Sequence, residues 1–315
     1  MKAVCFARYG EPEVLEVQEV ADPTPATGQV LIEVKATTVN RLDLFQRDGS
    51  RPVPHLPFTP GLEAAGIVLA DTHGFHAGEH VLTTRAAEAT GGGGYASKIV
   101  VPANHLARLP AGVSFEEAAA AGLAASTAWG SLFDLGKLQA GERVLIWAGS
   151  SGVGTAAIQL AKQRGAWVAT TASSTERAEE LRKLGADLVI NHQQQDVGAE
   201  LQKLGGVQLV IELVGSTLKQ SITACAPNGR VVLIGNLGGK ESTVDTQTWR
   251  LKRLMVIGGG QLRAAPRDEQ NILQLIADKA FTPLIARVLP IEQAAQAHAL
   301  LASGQVQGKI VLRHT

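Results

Sequence analysis

The chain has 315 residues, 45% of them hydrophobic, and its 29 basic residues balance its 29 acidic ones. A net charge of zero provides no long-range field that would attract nucleic acid or an anionic membrane, so the composition favours a small-molecule partner. Cys5 and Cys225 are the only cysteines, which argues against a disulfide framework and excludes a four-cysteine zinc lobe. We find neither a secretory signal nor an uninterrupted apolar span, and we expect a cytoplasmic protein.

The first third of the chain is punctuated by proline and glycine, which is typical of a compact β-rich module. Its predicted strands cover residues 30–37, 64–70, 80–83 and 95–101. We therefore expect this segment to fold mainly as sheet.

From about residue 115 onward, apolar runs alternate with segments of helical period, which indicates a parallel sheet covered by helices. The predicted strands cover residues 143–148, 167–172, 188–191, 209–213, 230–234 and 254–257. The predicted helices between them cover residues 152–164, 175–184, 197–204 and 218–226. Such a series of strands matches a dinucleotide-binding fold. Beyond residue 260 we expect helices over 267–279 and 291–302, and a closing strand over 309–313 that returns to the first module.

A glycine-rich turn, residues 149–154, follows the first strand of the alternating region. It fits a dinucleotide-binding motif in two registers: Gly149, Ser151 and Gly154 with serine in the middle position, or Gly152, Gly154 and Ala157 with alanine in the last. In either register, a strand enters a turn whose backbone N–H groups reach phosphate oxygens at the positive end of a helix dipole. We predict a pyrophosphate site here, against the alternative of a structural glycine turn.

The end of the second predicted strand bears on the choice of dinucleotide. NAD-selective sites usually place an acidic residue there to bind the ribose hydroxyls. Ser173 stands at about that position, followed by Ser174 and Arg177, which can donate hydrogen bonds to a 2′-phosphate. The pattern favours NADPH, whereas the alternative interpretation makes Ser174 a helix cap and Arg177 a solvated helix residue.

Several short segments form a larger ordered pattern along the chain. They are Met1–Val4, Gly10–Leu15, Val39–Asp43, Pro60–Gly66, Gly93–Ala96, Gly149–Gly154 and Gly308–Leu312. Together they resemble the medium-chain dehydrogenase/reductase superfamily, and within it the zinc-free quinone oxidoreductases related to ζ-crystallin. The resemblance runs essentially from one end of the sequence to the other.

The resemblance implies an α/β fold, in which a Rossmann doubly wound parallel sheet is joined to a GroES-like β-rich catalytic domain formed by both chain ends. We assign residues 1–115 and 261–315 to the catalytic domain and residues 116–260 to the Rossmann NADP-binding domain. The family usually forms a homodimer, and residues 254–257 provide a last sheet strand that could pair with its copy across a two-fold axis.

The same resemblance bears on metal binding. Asn40 and Leu62 stand where zinc-dependent relatives have cysteine and histidine ligands, and neither an amide nor a leucine replaces these in a tetrahedral zinc site. His73, His76 and His80 are clustered, but their irregular spacing in a glycine-containing segment favours a turn before a strand. We expect no bound metal.

Carried over residue by residue, the resemblance implies a cofactor site spread along the chain. Asn40 and Thr127 would lie on the nicotinamide side, and the pyrophosphate would lie against the glycine-rich turn. His192 would contact the adenosine phosphate end or be an exposed strand-end histidine, and Lys309 would reach the 2′-phosphate or be a solvated edge lysine. The full set is Asn40, Thr127, Gly149, Ser150, Ser151, Gly152, Val153, Gly154, Ser173, Ser174, Arg177, His192, Ser216, Gly235, Asn236, Leu237, Gly259, Gly260, Gln261 and Lys309.

Asn40 and Phe45 are the catalytic residues that the resemblance implies. Asn40 is a polar partner for the nicotinamide ribose or the substrate oxygen. Phe45 falls where several relatives have an active-site tyrosine, so a phenolic hydroxyl is missing here. Asp43 and Glu63 are interpreted as supporting residues, and Cys225 as a packed side chain rather than a nucleophile.

Without a metal to polarise a carbonyl, hydride transfer needs an acceptor that is already electrophilic. The leading hypothesis is NADPH-dependent reduction of a quinone, and the next is reduction of an activated alkene in an enone or enoyl thioester. A zinc-type alcohol dehydrogenase and an NADPH-binding protein without turnover remain as further alternatives.

Overall fold

The computed structural model describes residues 1–88, 93–260 and 264–314. The strands are β1 (Lys2–Cys5), β2 (Glu16–Glu19), β3 (Gln29–Thr38), β4 (Ala64–Val68), β5 (His80–Thr83), β6 (Lys98–Pro102), β7 (Ala107–Arg108), β8 (Arg143–Ile146), β9 (Trp167–Ala172), β10 (Leu188–Asn191), β11 (Val207–Glu212), β12 (Cys225–Leu233), β13 (Met255–Gly258), β14 (Ile285–Pro290) and β15 (Lys309–Arg313). The α-helices are α1 (Arg41–Asp48), α2 (Phe115–Trp129), α3 (Gly152–Gln163), α4 (Thr175–Lys183), α5 (Val197–Lys203), α6 (Leu218–Ala224), α7 (Thr246–Lys252), α8 (Pro266–Ala277) and α9 (Ala294–Ala302).

The chain divides into two compact units, each described below by itself. Unit 1 comprises Met1–Leu123 and Ala265–Thr315, and unit 2 comprises Ala124–Ala264. Within the described ranges, no helix is both long enough and apolar enough to cross a membrane.

Unit 2 is built on a parallel sheet of six strands in the order β10-β9-β8-β11-β12-β13. Its central strands are mostly apolar because helices cover both faces, as in β8, where Val144, Leu145 and Ile146 have no exposed surface. The chain winds outward from β8 to β10 and then returns to the other side of β8 with β11. The predicted doubly wound fold is confirmed, and its strand order reverses between β8 and β11.

The start of β12 differs from the prediction. The predicted helix 218–226 ends as α6 at Ala224, and the strand begins at Cys225 rather than at Arg230. Cys225 pairs with Val207, after which the register shifts before Leu209 pairs with Arg230. This irregular first part of β12 contains Pro227 and Gly229, which resemble loop residues in sequence.

Unit 1 is built on a mainly antiparallel sheet in the order β14-β15-β3-β4-β5-β7, with β6 also paired to β3. β15 pairs antiparallel with β3, with Val311 opposite Thr38, and parallel with β14. The predicted return of the closing strand to the first module is therefore confirmed. Its neighbour β14 is an addition to the predicted elements.

β13 lies at one edge of the sheet of unit 2, as predicted. Its Met255 side chain is 52% exposed, and Leu251 at the end of α7 is 63% exposed. An edge strand with exposed apolar side chains is a surface on which another strand can pair.

Candidate functional site

The carboxyl ends of the strands of unit 2 gather most of the predicted cofactor residues at one edge of the sheet. Because all six strands are parallel, the segments that follow them lie along the same edge. These segments supply residues 149–154 after β8, 173–177 after β9, His192 after β10, Ser216 after β11, 235–237 after β12 and 259–260 after β13. Gln261, also predicted, lies outside the described residues.

The glycine-rich turn passes directly from β8 into α3. Ala148 adopts a left-handed conformation with a φ of 51°, which turns the chain sharply out of the strand. Ser151 caps α3, and its Oγ accepts a hydrogen bond from the Gly154 N–H at 3.0 Å. The first N–H groups of this 12-residue helix have no partners within the helix and point out of its N-terminus. That end of α3 is suited to bind an anion.

Two glycines of the turn are required by close packing. A Cβ on Gly149 would lie 2.2 Å from Thr170 Oγ1, and a Cβ on Gly154 would lie 2.4 Å from the Ala148 carbonyl oxygen. Gly154 thus lets α3 approach the end of β8, which is the role of the last glycine in dinucleotide-binding turns. The turn fits a dinucleotide pyrophosphate on these grounds.

Ser173, Ser174 and Arg177 lie together between β9 and α4. Ser174 caps α4, accepting a hydrogen bond from the Arg177 N–H at 3.3 Å, so the predicted capping role is present. A capping hydroxyl uses an oxygen lone pair and keeps its own O–H for donation. The Arg177 Nη1 donates to Ser173 Oγ at 3.4 Å. An arginine and two hydroxyls therefore end β9, without a carboxylate at the position of Ser173.

His192 follows β10, and its backbone N–H donates to the Ala172 carbonyl oxygen at 3.3 Å. The residue is exposed. His192 is thus an exposed histidine at the end of a strand, as the second interpretation has it, and a contact with the cofactor stays a prediction.

A cleft of about 630 Å³ opens at the carboxyl ends of β11 and β12. It is lined by Gly215, Leu218, Leu233, Gly235, Asn236, Gly239, Lys240, Glu241, Ser242 and Thr243. Gly235 and Asn236 belong to the predicted cofactor contacts, and the exposed Ser216 lies in the loop between β11 and α6. The cleft adjoins the point where the strand order reverses.

Asn40 lies in unit 1, where it precedes α1 and joins a buried polar cluster. Its Nδ2 lies 3.0 Å from both carboxylate oxygens of Glu63, and its Oδ1 accepts a hydrogen bond from Lys309 Nζ at 2.7 Å. Lys309 Nζ is also 3.5 Å from Glu63 Oε1, and Thr38 Oγ1 donates to the same carboxylate. The Asn40 amide is therefore held between a carboxylate and an ammonium.

Lys309 differs from both interpretations of the sequence. The solvated edge lysine is contradicted, because Lys309 is only 7% exposed and begins a strand in the interior of the sheet. Its ammonium is bound to the Asn40 side chain. A contact with a 2′-phosphate stays a prediction, and it would compete with this hydrogen bond.

Asp43 supports the start of α1. It is completely buried, and its carboxylate accepts hydrogen bonds from the Asn40 N–H at 2.7 Å and the Gly61 N–H at 3.1 Å. Burial raises the pKa of Asp43 to about 7, against the two backbone hydrogen bonds, and the charge of Glu63 contributes to the increase. The supporting role predicted for Asp43 agrees with these contacts.

The remaining predicted residues lie on helices. Phe45 is half-buried on α1, and its carbonyl oxygen accepts a hydrogen bond from the Arg51 N–H at 2.9 Å. Thr127 is half-buried on α2, and its carbonyl oxygen accepts a hydrogen bond from Ser131 Oγ at 2.6 Å. These contacts describe the local structure and leave the proposed roles of both side chains as predictions.

Sequence reasoning missed a fully buried glutamate, Glu212, at the end of β11. The available signal was a carboxylate that directly follows the apolar run 209–211. Ser221 on α6 and Trp147 after β8 join it through hydrogen bonds, a link between distant segments that no local pattern reveals.

The candidate zinc position has an unsuitable set of side chains. Leu62 is buried and offers no donor atom, while Asn40 is bound to the Lys309 ammonium. A dication there would be repelled by that ammonium. Among the described residues, we find no group of three histidine, cysteine, aspartate or glutamate side chains that could hold a metal ion.

Both units match known families. Residues 26–111 match the family described as alcohol dehydrogenase GroES-like domain, and residues 152–278 match the family described as zinc-binding dehydrogenase. The predicted GroES-like character of the first module is confirmed by this match.

Three full-length similarities define the chain more closely. The quinone oxidoreductase of Sus scrofa is 34% identical over 328 residues, which cover 99% of this chain and 97% of that protein. The crystal structure of Escherichia coli quinone oxidoreductase complexed with NADPH has a TM-score of 0.90 at 30% identity, covering 99% of this chain and 100% of that chain. A solved structure described as an NAD-dependent alcohol dehydrogenase has a TM-score of 0.90 at 31% identity, covering 99% of each chain. Since the first of these identities extends over nearly the whole of both proteins, the chain belongs to the quinone oxidoreductases of the medium-chain dehydrogenase/reductase superfamily, as its motifs predicted.

Proposed function

We propose that this protein is an NADPH-dependent, zinc-independent reductase that transfers a hydride to a quinone. The observation that carries the proposal is the set of residues at the carboxyl ends of the parallel strands in unit 2. There the capped N-terminus of α3, the Ser173–Arg177 pair and the cleft beside Gly235 lie along one line of strand ends. This is the arrangement that binds a dinucleotide across a point of strand reversal.

The choice of NADPH rests on the end of β9. Arg177 offers a charged, planar donor group, and the Ser174 hydroxyl can donate while it caps α4. No carboxylate occupies the position of Ser173 to repel a 2′-phosphate. The quinone oxidoreductase of Escherichia coli was solved with NADPH, which supports the same choice.

Zinc independence is supported by the polar cluster of unit 1. Asn40 and Leu62 are poor replacements for a thiolate and an imidazole, and the Lys309 ammonium adds a positive charge beside Asn40. The acceptor must therefore be electrophilic without a bound Lewis acid, and a quinone meets that requirement.

In this proposal, the chain contributes binding and orientation. NADPH supplies the hydride when it is bound. The N-terminus of α3 holds the pyrophosphate, and Arg177 holds the 2′-phosphate. The Asn40 amide, fixed by Glu63 and Lys309, is preorganised as a polar contact for the nicotinamide ribose or the acceptor oxygen. One proton from solvent completes the reduction of the quinone to its hydroquinone.

The test is an anaerobic assay of NADPH oxidation with four acceptors: a naphthoquinone, an enone, an enoyl thioester and a saturated aldehyde. We expect the quinone to give the highest kcat/KM, a strong preference for NADPH over NADH, and full activity after dialysis against a chelator. Faster reduction of the enone or the thioester, with a saturated product, would replace the quinone by an activated alkene. Aldehyde reduction that a chelator abolishes would contradict zinc independence. NADPH binding without turnover of any acceptor would make the protein a binding protein.

A further inference from the structure

Glu212 is a buried carboxylate beside the point where the strand order reverses. It is the last residue of β11 and has no exposed surface. Its Oε1 accepts hydrogen bonds from the N–H groups of Val214 at 2.8 Å and Gly215 at 3.0 Å. Thr217 Oγ1 lies 2.7 and 2.8 Å from the two carboxylate oxygens. A single side chain thus holds the whole loop between β11 and α6.

A second set of hydrogen bonds links this carboxylate to the strand on the other side of the reversal. Ser221 Oγ donates to Glu212 Oε2 at 2.5 Å and accepts a hydrogen bond from Trp147 Nε1 at 2.8 Å. An indole N–H can only donate, so the direction of the chain from Trp147 to Glu212 is fixed. Trp147 is buried and lies between β8 and the glycine-rich turn. Hydrogen bonds therefore link both the loop after β11 and the segment after β8 to the Glu212 carboxylate.

The main chain of Glu212 reaches a third loop. Its carbonyl oxygen accepts hydrogen bonds from the N–H groups of Ile234 at 2.9 Å and Gly235 at 3.3 Å. A Cβ on Gly235 would lie 2.2 Å from the Leu213 carbonyl oxygen, so the loop after β12 packs directly on the end of β11. Gly235 also lines the cleft described above.

We propose that Glu212 is a positioning residue of the dinucleotide site. It holds the loop after β11 through its side chain, the loop after β12 through its main chain, and the glycine-rich turn through Ser221 and Trp147. Glu212 would thereby fix the positions of these three loops relative to one another, and with them the contacts that they make to the two ends of the dinucleotide. This inference rests on the proposed function, because it assigns a role within that cofactor site. Buried carboxylate hydrogen bonds suit the task because they are stronger than neutral ones.

The test compares Glu212→Gln, Ser221→Ala and Trp147→Phe with a matched control, Glu142→Gln. Glu142 is also a glutamate of unit 2, but it lies at the amino end of β8, away from the carboxyl ends of the strands, and it pairs with Arg230. For each protein, the Kd for NADPH is measured by cofactor fluorescence, and kcat and KM are measured with a naphthoquinone. The isotope effect is measured with NADPH deuterated at the transferred position.

We expect Glu212→Gln to lower kcat/KM about 100-fold, because small displacements of bound reactants are costly. Ser221→Ala and Trp147→Phe should each raise the Kd for NADPH relative to the wild type. Both should also increase the isotope effect, because hydride transfer becomes slower than the other steps. Glu142→Gln should lose thermal stability while its Kd and kcat/KM stay at the wild-type values. A purely structural role for Glu212 predicts the same behaviour for Glu212→Gln as for the control.

The inference is overturned if Glu212→Gln folds and keeps the wild-type Kd, kcat/KM and isotope effect. If that variant does not fold, Ser221→Ala and Trp147→Phe decide by the same criteria. In the free protein, the indole ¹H–¹⁵N NMR signal that Trp147→Phe removes should shift in Ser221→Ala, and an unchanged signal would contradict the hydrogen-bond chain itself. Failure of the proposed function is visible separately, as wild-type protein that does not bind or oxidise NADPH.

Discussion

Asn40 shows how a side chain can be immobilised by partners of opposite charge. Glu63 accepts from its amide nitrogen and Lys309 donates to its amide oxygen, so neither end of the amide can rotate freely. Asp43 holds the backbone at the same place through the Asn40 N–H. The residues around Asn40 therefore fix its orientation before any ligand is present, which reduces the reorganisation required on binding.

Asp43 should make stability depend on pH. Its pKa is raised to about 7 by burial, so the folded protein retains a proton that the unfolded chain releases near pH 4. This contribution to stability is complete at low pH and is lost as the pH rises through 7. Between pH 5 and 7, we expect the free energy of unfolding of the wild type to fall by about 2 kcal/mol relative to Asp43→Asn.

Urea unfolding of both proteins at several pH values measures this difference. The variant is expected to be less stable overall, because an amide cannot accept from both backbone N–H groups. Only the slope of the difference with pH is informative, and a constant difference from pH 5 to 8 would contradict the raised pKa.

Arg177→Ala should weaken the preference for NADPH. Losing a charge-assisted hydrogen bond to the 2′-phosphate should reduce the ratio of kcat/KM for NADPH to that for NADH by about tenfold or more. Arg182→Ala is the control, since Arg182 is an exposed arginine on the same helix. Equal ratios in wild type and Arg177→Ala would exclude Arg177 from the phosphate site.

Single residues were the least predictable part of the site. The place of Ser173 and Arg177 at the end of β9 could be predicted because they follow a strand at a known distance from the glycine-rich turn, and their contact with a 2′-phosphate stays a prediction. Lys309 could not be placed, because its neighbours Asn40 and Glu63 come from a distant part of the chain. Glu212 was missed for the same reason, since its partners Ser221 and Trp147 meet it only when the sheet has formed.

At the scale of elements, an ion pair links the start of β8 to β12 in unit 2. Arg230 on β12 makes two hydrogen bonds to the Glu142 carboxylate, at 3.1 and 2.6 Å, and a third to the Gly136 carbonyl oxygen at 2.6 Å. Glu142 directly precedes β8, so the pair joins two strands separated in the sheet by β11. Both side chains are largely buried, which limits screening by solvent.

Arg230→Lys should therefore destabilise unit 2. A lysine keeps the charge but cannot make the paired contacts of a planar guanidinium, and we expect a loss of about 1–3 kcal/mol in the free energy of unfolding. Lys183→Ala, which breaks an exposed pair with Glu180, should produce no measurable change. Equal effects of the two substitutions in urea unfolding would show that the Arg230 contacts add nothing.

The alternation of apolar runs and helical periods was sufficient to predict the parallel sheet and its main helices. Strong patterns such as β9 and α3 were predicted closely. α7 was missed because Thr246–Lys252 is short and polar, and β14 because Pro290 ends a strand with little alternation. These elements depend on tertiary packing more than on a local pattern.

At the scale of the whole molecule, the exposed edge of unit 2 predicts a homodimer. β13 is an edge strand, and Met255 is half-exposed on it. Met255→Asp would bring two like charges together across a two-fold axis, so we expect sedimentation velocity at micromolar concentration to change from dimer to monomer. Val17→Asp, at an exposed position on β2, should remain dimeric. A monomeric wild type would contradict dimerisation through β13.

The position of β15 in the sheet of unit 1 has a consequence for biosynthesis. β15 lies between β14 and β3, yet it is translated long after β3. At a synthesis rate of about 10 residues per second, the early strands wait roughly half a minute for this neighbour. Unit 2 is continuous and can fold on the ribosome in that interval. Residues 29–33 of β3 can already pair with β6, whereas Ala36–Thr38 lack their partner strand until β15 has been made. Such an unpaired strand segment can associate with other chains.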